Sequence, residues 1–202
     1  MAGSNTSEIR IAGTGRLYVA VAGTAVPTVF SDTPAADWGA RWKDLGYTSG
    51  EGVTFSKKDK LEAVDSWQTI SPVHFVYSDR DLTLKFSLLQ FNEDTLPFFM
   101  GGGSVKPVEG SAGGSGVFEY EIADRAYADV RALGLEFTDV RASDGSVVTY
   151  RFGIPRGQVT ASDDIKLGRK APAQLGITFQ ALASVEGEAL GGFVMKDAAY
   201  AV

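Results

Sequence analysis

One histidine and no cysteine bound the chemistry open to this 202-residue chain. A side-chain nucleophile needs an adjacent base, most often histidine, and His74 is the sole candidate. It alternates with Val73 and Phe75 in a run that reads as a strand, and no Gly-x-Ser-x-Gly elbow accompanies it. Cys–His catalysis, a Cys-ligated zinc, a disulfide framework and a two-histidine metal site are excluded by residue count. His74 reads as a strand residue facing solvent or a neighbouring subunit.

Carboxylates come next. Asp163-Asp164, Asp79 with Asp81, and Glu51 with Asp59, Glu62 and Asp65 have the chemistry to hold a cation or to work as an acid–base pair. Each falls in a segment that reads as turn or loop, where Asp is favoured for backbone reasons alone. None has EF-hand spacing. Gly13-Thr14-Gly15-Arg16 and Gly101-Gly102-Gly103-Ser104 lack the Lys-Ser/Thr of a phosphate loop, and the first precedes a strand instead of opening a helix. The expectation is no catalytic residue, no cofactor and no metal: not an enzyme. Lys57-Lys58-Asp59-Lys60 is the one basic cluster, and Asp59, Glu62 and Asp65 dilute it. A solvated loop or a salt-bridged subunit contact suits it better than a DNA-binding patch.

Composition agrees. With 25 acidic against 19 basic residues the chain carries net charge −6, the opposite of a protein that grips phosphates. Its 44% hydrophobic content is ordinary for a globular protein, and a chain of this length buries roughly 70% of its unfolded surface. No apolar run approaches the ~18 residues of a membrane span. The polar first residues lack a signal-peptide pattern. No membrane partner is expected.

The elements that must carry these residues are strands. Leu17-Tyr18-Val19-Ala20-Val21 reads as one, after an N-terminal arm over residues 1–15 that begins to pair around Ile9-Arg10-Ile11. Residues 22–40 are dense in turn formers, with Pro27 and Pro34 as punctuation. Period-two alternation marks strands with one buried face. It places Phe118, Tyr120 and Ile122 on one face, and likewise Leu133, Leu135 and Phe137 against Gly134 and Glu136. The sets Val148, Tyr150, Phe152, Ile154 and Leu175, Ile177, Phe179, Ala181 repeat it. Asp144-Gly145 suits a tight hairpin, and Asp79-Arg80-Asp81 separates residues 73–78 from residues 82–89. One helix is expected, capped by Asn92 or Asp94, carrying Leu96, Phe98, Phe99 and Met100, and ended by Gly101.

Two irregular stretches remain. Residues 101–116 hold seven glycines in sixteen positions and read as a mobile connector. Residues 49–72 form an excursion longer than compact domains usually tolerate without a function. The alternation of Val53-Thr54-Phe55-Ser56-Lys57 makes it a projecting hairpin as readily as a coil. The whole chain, 1–202, reads as one mainly β, antiparallel sandwich or barrel domain with one short α-helix and extended arms.

Several blocks in order carry a resemblance. Leu17-Tyr18-Val19-Ala20 comes first, then the block from Trp42 to Phe55 centred on Leu45-Gly46-Tyr47. Trp67-Gln68, Asp81-Leu82-Thr83-Leu84-Lys85-Phe86 and Asn92-Glu93-Asp94-Thr95-Leu96 follow. Ile154-Pro155-Arg156-Gly157-Gln158-Val159, Asp163-Asp164-Ile165 and a last alternating strand close the series. Over residues 16–183 the chain resembles the major tail tube proteins of long-tailed, siphovirus-type bacteriophages, especially those of actinobacteria.

The resemblance implies a structural virion protein, assembled in the bacterial cytoplasm. Its rings, usually sixfold, stack into the tail tube that conducts DNA into the host. It implies as partners other copies of the chain, the tape measure, tail tip and tail terminator proteins, and passing double-stranded DNA without specific binding. Some members carry an extra C-terminal immunoglobulin-like domain, for which this chain is expected to be too short. The arm, the 49–72 excursion and the segment 185–202 are the pieces suited to reaching neighbours. Phe55, Lys57, Lys58, Lys60 and Trp67 are the candidate inter-subunit contacts, Phe55 and Trp67 as apolar anchors. For Trp67, folding back on its own core is an equal expectation. A wall rich in Lys and Arg would hold DNA by counterion release, so the lumen is expected to be polar and acidic. The alternative from another class is a monomeric β-barrel ligand- or carbohydrate-binding module, with Trp38, Trp42 and Tyr47 in its pocket.

Overall fold

The computed structural model describes residues 4, 8–31, 33–108, 116–141, 144–183, 189–197 and 200. Residues of the expected N-terminal arm (1–3 and 5–7), of the glycine-rich stretch (109–115) and of the C-terminal segment (184–188, 198, 199, 201 and 202) lie outside them. In chain order the elements are β1 (Thr14–Val21), α1 (Pro34–Asp37), β2 (Lys43–Asp44), β3 (Thr48–Ser66) and β4 (Thr69–Leu88). They continue with α2 (Thr95–Phe99), β5 (Lys106–Pro107), β6 (Phe118–Glu119), β7 (Arg131–Val140), β8 (Val147–Ser162), β9 (Leu175–Ala181) and β10 (Gly192–Lys196). All strand pairs are antiparallel. The fold is mainly β, as expected.

The long strands run in the order β2-β1-β7-β8-β9-β4-β3, with β10 added to β8. β8 serves two sheets. Its first half, through Gly153, lies between β7 and β10, while Gly157 to Ser162 pair with β9. The sheet β2-β1-β7-β8-β10 therefore faces the sheet β8-β9-β4-β3 as a sandwich. Alternation explains what fills it: Leu17, Val19, Leu133, Phe152 and Ile154 from one side, and Leu84, Phe86, Leu88, Leu175, Ile177 and Phe179 from the other. Helix α2 adds Phe98 and Phe99. Asn92 Oδ1 accepts from the backbone N–H of Asp94 and Thr95 at its start. At its end Gly101 N–H donates to Phe98 and Gly102 N–H to Pro97, the paired bonds that close a helix.

The first sheet is buried on both faces, unlike the one-sided strands that alternation predicts. The described residues of the segment 22–42, of which 22–40 read as turns, lie over its outer face and contain the second short helix, α1. They form a second apolar cluster in which Trp38 and Trp42 pack on Tyr18, Ala20 and Ala132. The Tyr18 and Trp38 rings stack at 4.2 Å. Gly134 leaves room for this: a Cβ there would lie 2.3 Å from the Trp38 ring. Arg151, which alternates with Tyr150 and Phe152 and so falls on the face opposite the core, is wholly buried. Its guanidinium donates to Glu136 Oε2 at 2.6 Å, Asp37 Oδ2 at 2.7 Å, and the carbonyls of Pro27 and Val29 at 3.1 and 2.5 Å. Trp38 Nε1 donates to the same Glu136 oxygen at 3.0 Å. Every charge in the cluster is paired, which is the condition for tolerating it inside.

Other differences have local causes. Of the run from Phe118 to Ile122, Phe118 and Glu119 alone pair, with β5, in a two-stranded sheet too small to bury a face. β5 lies inside the stretch read as a connector. Asp144-Gly145 does sit in the β7–β8 hairpin, with Gly145 at φ 70°. The N-terminal residues meet the C-terminal strand at one carboxylate. Asp197, with no exposed side-chain surface, accepts from Arg10 at 2.5 Å, from Arg141 at 2.5 Å and from the Tyr150 hydroxyl at 2.7 Å.

Candidate assembly interface

β3 and β4, of 19 and 20 residues, form a hairpin longer than the sandwich can cover. β9 pairs with β4 over Thr83 to Leu88 and no further. From there to the turn the two strands pair with each other alone. At ~3.3 Å per residue the free part extends about 30 Å beyond the body.

A charge ladder begins this free part. Lys58 faces Asp81, Asp59 faces Arg80 and Lys60 faces Asp79, so every cross-strand pair joins opposite signs. Arg80 Nε donates to Asp59 at 2.7 Å, Lys57 Nζ to the same carboxylate at 2.5 Å, and Lys60 lies 3.0 Å from Glu62. Lys57 first and Arg80 second hold the Asp59 carboxyl below its ordinary range. Asp79-Arg80-Asp81 is therefore mid-strand and not the separator expected from its composition. Complementary charge holds turn-forming residue types in the ladder. The register then shifts between Lys60 and Leu61, leaving Ser78 as an extra residue on β4, a bulge of the kind that twists an edge.

Beyond the bulge the hairpin is apolar and uncovered. Leu61 faces Tyr77 and Ala63 faces Phe75, on the face that continues the body's core side. Val64 and Val76 lie on the other. Leu61, Val64, Val73, Phe75, Val76 and Tyr77 are between 42% and 64% exposed. At the tip, Trp67 and Ile70 are open to solvent entirely, at 102% and 106%. Large contiguous apolar surface is rare on proteins that work alone.

The five residues singled out from sequence all sit on this hairpin, in three separate places. Lys57, Lys58 and Lys60 belong to the ladder. Trp67 is at the tip, away from its own core. Phe55 is at the body end, where its ring meets Phe152 edge-on at 5.0 Å and Phe193 at 5.9 Å. Leu61, Phe75, Tyr77 and Ile70 were not singled out. Part of the signal is in the alternating signs: Lys58-Asp59-Lys60 is the complement of Asp79-Arg80-Asp81 and pairs the strands as far as the bulge at Ser78, beyond which the register shifts. His74 is exposed and paired with Val64. Trp38 and Trp42 are buried at 3% and 7% and form no pocket with the exposed Tyr47, which removes the aromatic site of the binding-module alternative. Among the described residues no group of His, Asp and Glu is placed to hold a metal ion, and no helix is long and apolar enough to cross a membrane.

The described fold is a β-sandwich with a projecting, uncovered apolar hairpin. A family model described as phage tail tube protein matches residues 2–202, nearly the whole chain. The chain belongs to that family, a family of structural proteins of the phage tail. No curated protein sequence matches it closely enough to count as a relative.

Proposed function

We propose that copies of this chain close into rings, six to a ring, and that the rings stack into the tube that carries double-stranded DNA into the host. The whole chain then acts as one tube domain. It assembles in the host cytoplasm around a tape measure protein, starts on a tail tip and stops at a tail terminator. The uncovered apolar hairpin carries this reading. Its eight large apolar side chains, from Leu61 to Tyr77, expose on the order of 1,000 Å² in total, against about 800 Å² per partner in a standard stable interface. Heterologous contacts of this kind, one patch meeting a different one, build rings and open stacks.

The outer face of the sheet β8-β9-β4-β3 suits the lumen. It carries Thr54, Ser56 and Lys58, then Asp81, Thr83 and Lys85, then Thr178 and Gln180, with Gln158 beyond. Gln180 donates to Asp81 at 2.9 Å. No described segment lies over this face as residues 22–42 lie over the other sheet. Hydroxyls and amides with near-balanced charge form a wall that DNA slides past without being held, more neutral than the acidic lining expected from net charge.

Electron microscopy of the negatively stained protein, beside light scattering over a range of concentrations, tests the reading. Rings or hollow tubes of uniform width are expected, alone or once a tail tip is supplied. A protein that stays monomeric at high concentration and also fails to join tails on a tip overturns it.

A further inference from the structure

A groove of about 820 Å³ opens where the hairpin is rooted, lined by residues of four segments. Thr14, Gly15 and Arg16 of β1 with Phe137 and Thr138 of β7 form one side, Thr33 and Ala35 a second, and Asp44, Gly46, Tyr47 and Thr48 a third. Tyr47 is 74% exposed. Tyr18 lies on the same sheet face as Arg16 and Glu136. Its hydroxyl is buried and has no hydrogen-bond partner among the described residues.

We propose that this groove receives the hairpin tip of a second copy of the chain, with Trp67 and Ile70 as the inserted side chains. The inference rests on the tube reading and adds the surface that the hairpin meets. Three observations carry it. The tip presents two large apolar side chains open to solvent in full, and groups of that kind are the usual anchors of an interface. The groove falls within the roughly 300–1,000 Å³ that encloses a ligand of such size. Its wall includes Thr48, the first residue of β3, whereas Trp67 follows the last, so tip and groove lie at opposite ends of a 19-residue strand. That is about 60 Å of extended chain, so a tip cannot enter the groove of its own copy. Tip-to-root contacts are heterologous, and where the rotation between copies does not close a ring they extend a stack.

Because the chain has no cysteine, introduced pairs report without background. Gln68→Cys combined with Ala35→Cys is expected to give a ladder of disulfide-linked multimers in assembled tubes. Gln68→Cys combined with Ser104→Cys, which sits in a different depression beside Arg41 and Glu93, is expected to give none. Visible tubes with no ladder from the first pair, or with a ladder from the second instead, overturn the groove assignment and leave the tube reading intact. If the unsubstituted chain forms no tubes with its tail tip, both fall together. Ala35→Trp, which fills the groove from an exposed position, is expected to keep the melting temperature of the parent and lose tube formation. Normal tubes from that folded variant also overturn the assignment.

Discussion

Arg151 ties the loop over residues 22–42 to the first sheet, and its five donors explain why no other residue can. It spans two carboxylates on different segments and two backbone carbonyls, a planar fork that lysine cannot reproduce. Arg151→Met leaves Glu136 and Asp37 buried without their cation. Breaking a buried pair in this way costs about 3–5 kcal/mol, and the loss is expected as a lower denaturant midpoint in urea. Adding Glu136→Gln is expected to recover part of it, since one orphaned charge is then gone. Acid tests the same cluster. Hydrogen bonding from the Ser31 side chain first, then from Arg151, holds the Asp37 carboxyl down at about 2. A carboxyl with a depressed folded pKa stabilises fully above its unfolded value of about 3.9 and loses that contribution as pH falls through the folded value. Fluorescence of Trp38 and Trp42, which this loop carries, is expected to report loosening between about pH 4 and 2. Asp37→Asn is expected to flatten the transition in that window.

At the scale of elements, what the sequence made legible depended on whether a strand's partner left a mark in its own pattern. β7, β8 and β9 are written as apolar alternation because their inner faces fill one core. The same alternation misassigned Glu136 and Arg151, since it registers the core but not a cover such as residues 22–42, which has no period of its own. α1 went unread for that reason. Asp79-Arg80-Asp81 reads as a turn because Asp favours turns in isolation, while its place in β4 depends on Lys58-Asp59-Lys60 about twenty residues away. The candidate interface was legible as an excursion with Trp67 in it, and its apolar face was not. That separation between body and hairpin is itself testable. Replacing residues 60–79 by a tight two-residue turn removes the uncovered face and leaves the described core contacts untouched. The shortened chain is expected to keep the parent's melting temperature and to form no tubes. A large drop in melting temperature would mean that the hairpin supports the body.

For the whole molecule, the proposed tube raises the question of how one subunit would bind its neighbours tightly and leave DNA free. In the proposed tube the sandwich separates the tasks by surface: an apolar hairpin for protein contact, and the hydroxyl- and amide-rich face of β8-β9-β4-β3 for the cargo. A duplex carries about one phosphate charge per 1.7 Å, and each cation that contacts it contributes binding by counterion release. Lys58 and Lys85 are cations of that face, joined at its edge by Arg156 two residues before Gln158, and Lys58 is opposed by Asp81 across the strands. Converting Thr54 and Thr178, on the same face and away from the hairpin tip, to lysine multiplies the unopposed charge by repetition around every ring. Tubes of Thr54→Lys/Thr178→Lys are expected to assemble with normal width, because the uncovered apolar part of the hairpin and the groove-lining residues are unchanged, and to retain added DNA in a binding assay. That retention is expected to weaken steeply between about 50 and 200 mM salt, the signature of phosphate contacts, and phages carrying the variant are expected to eject their genomes slowly. Tubes that show no gain in DNA retention at low salt would place this face on the outside of the tube and move the lumen to another surface.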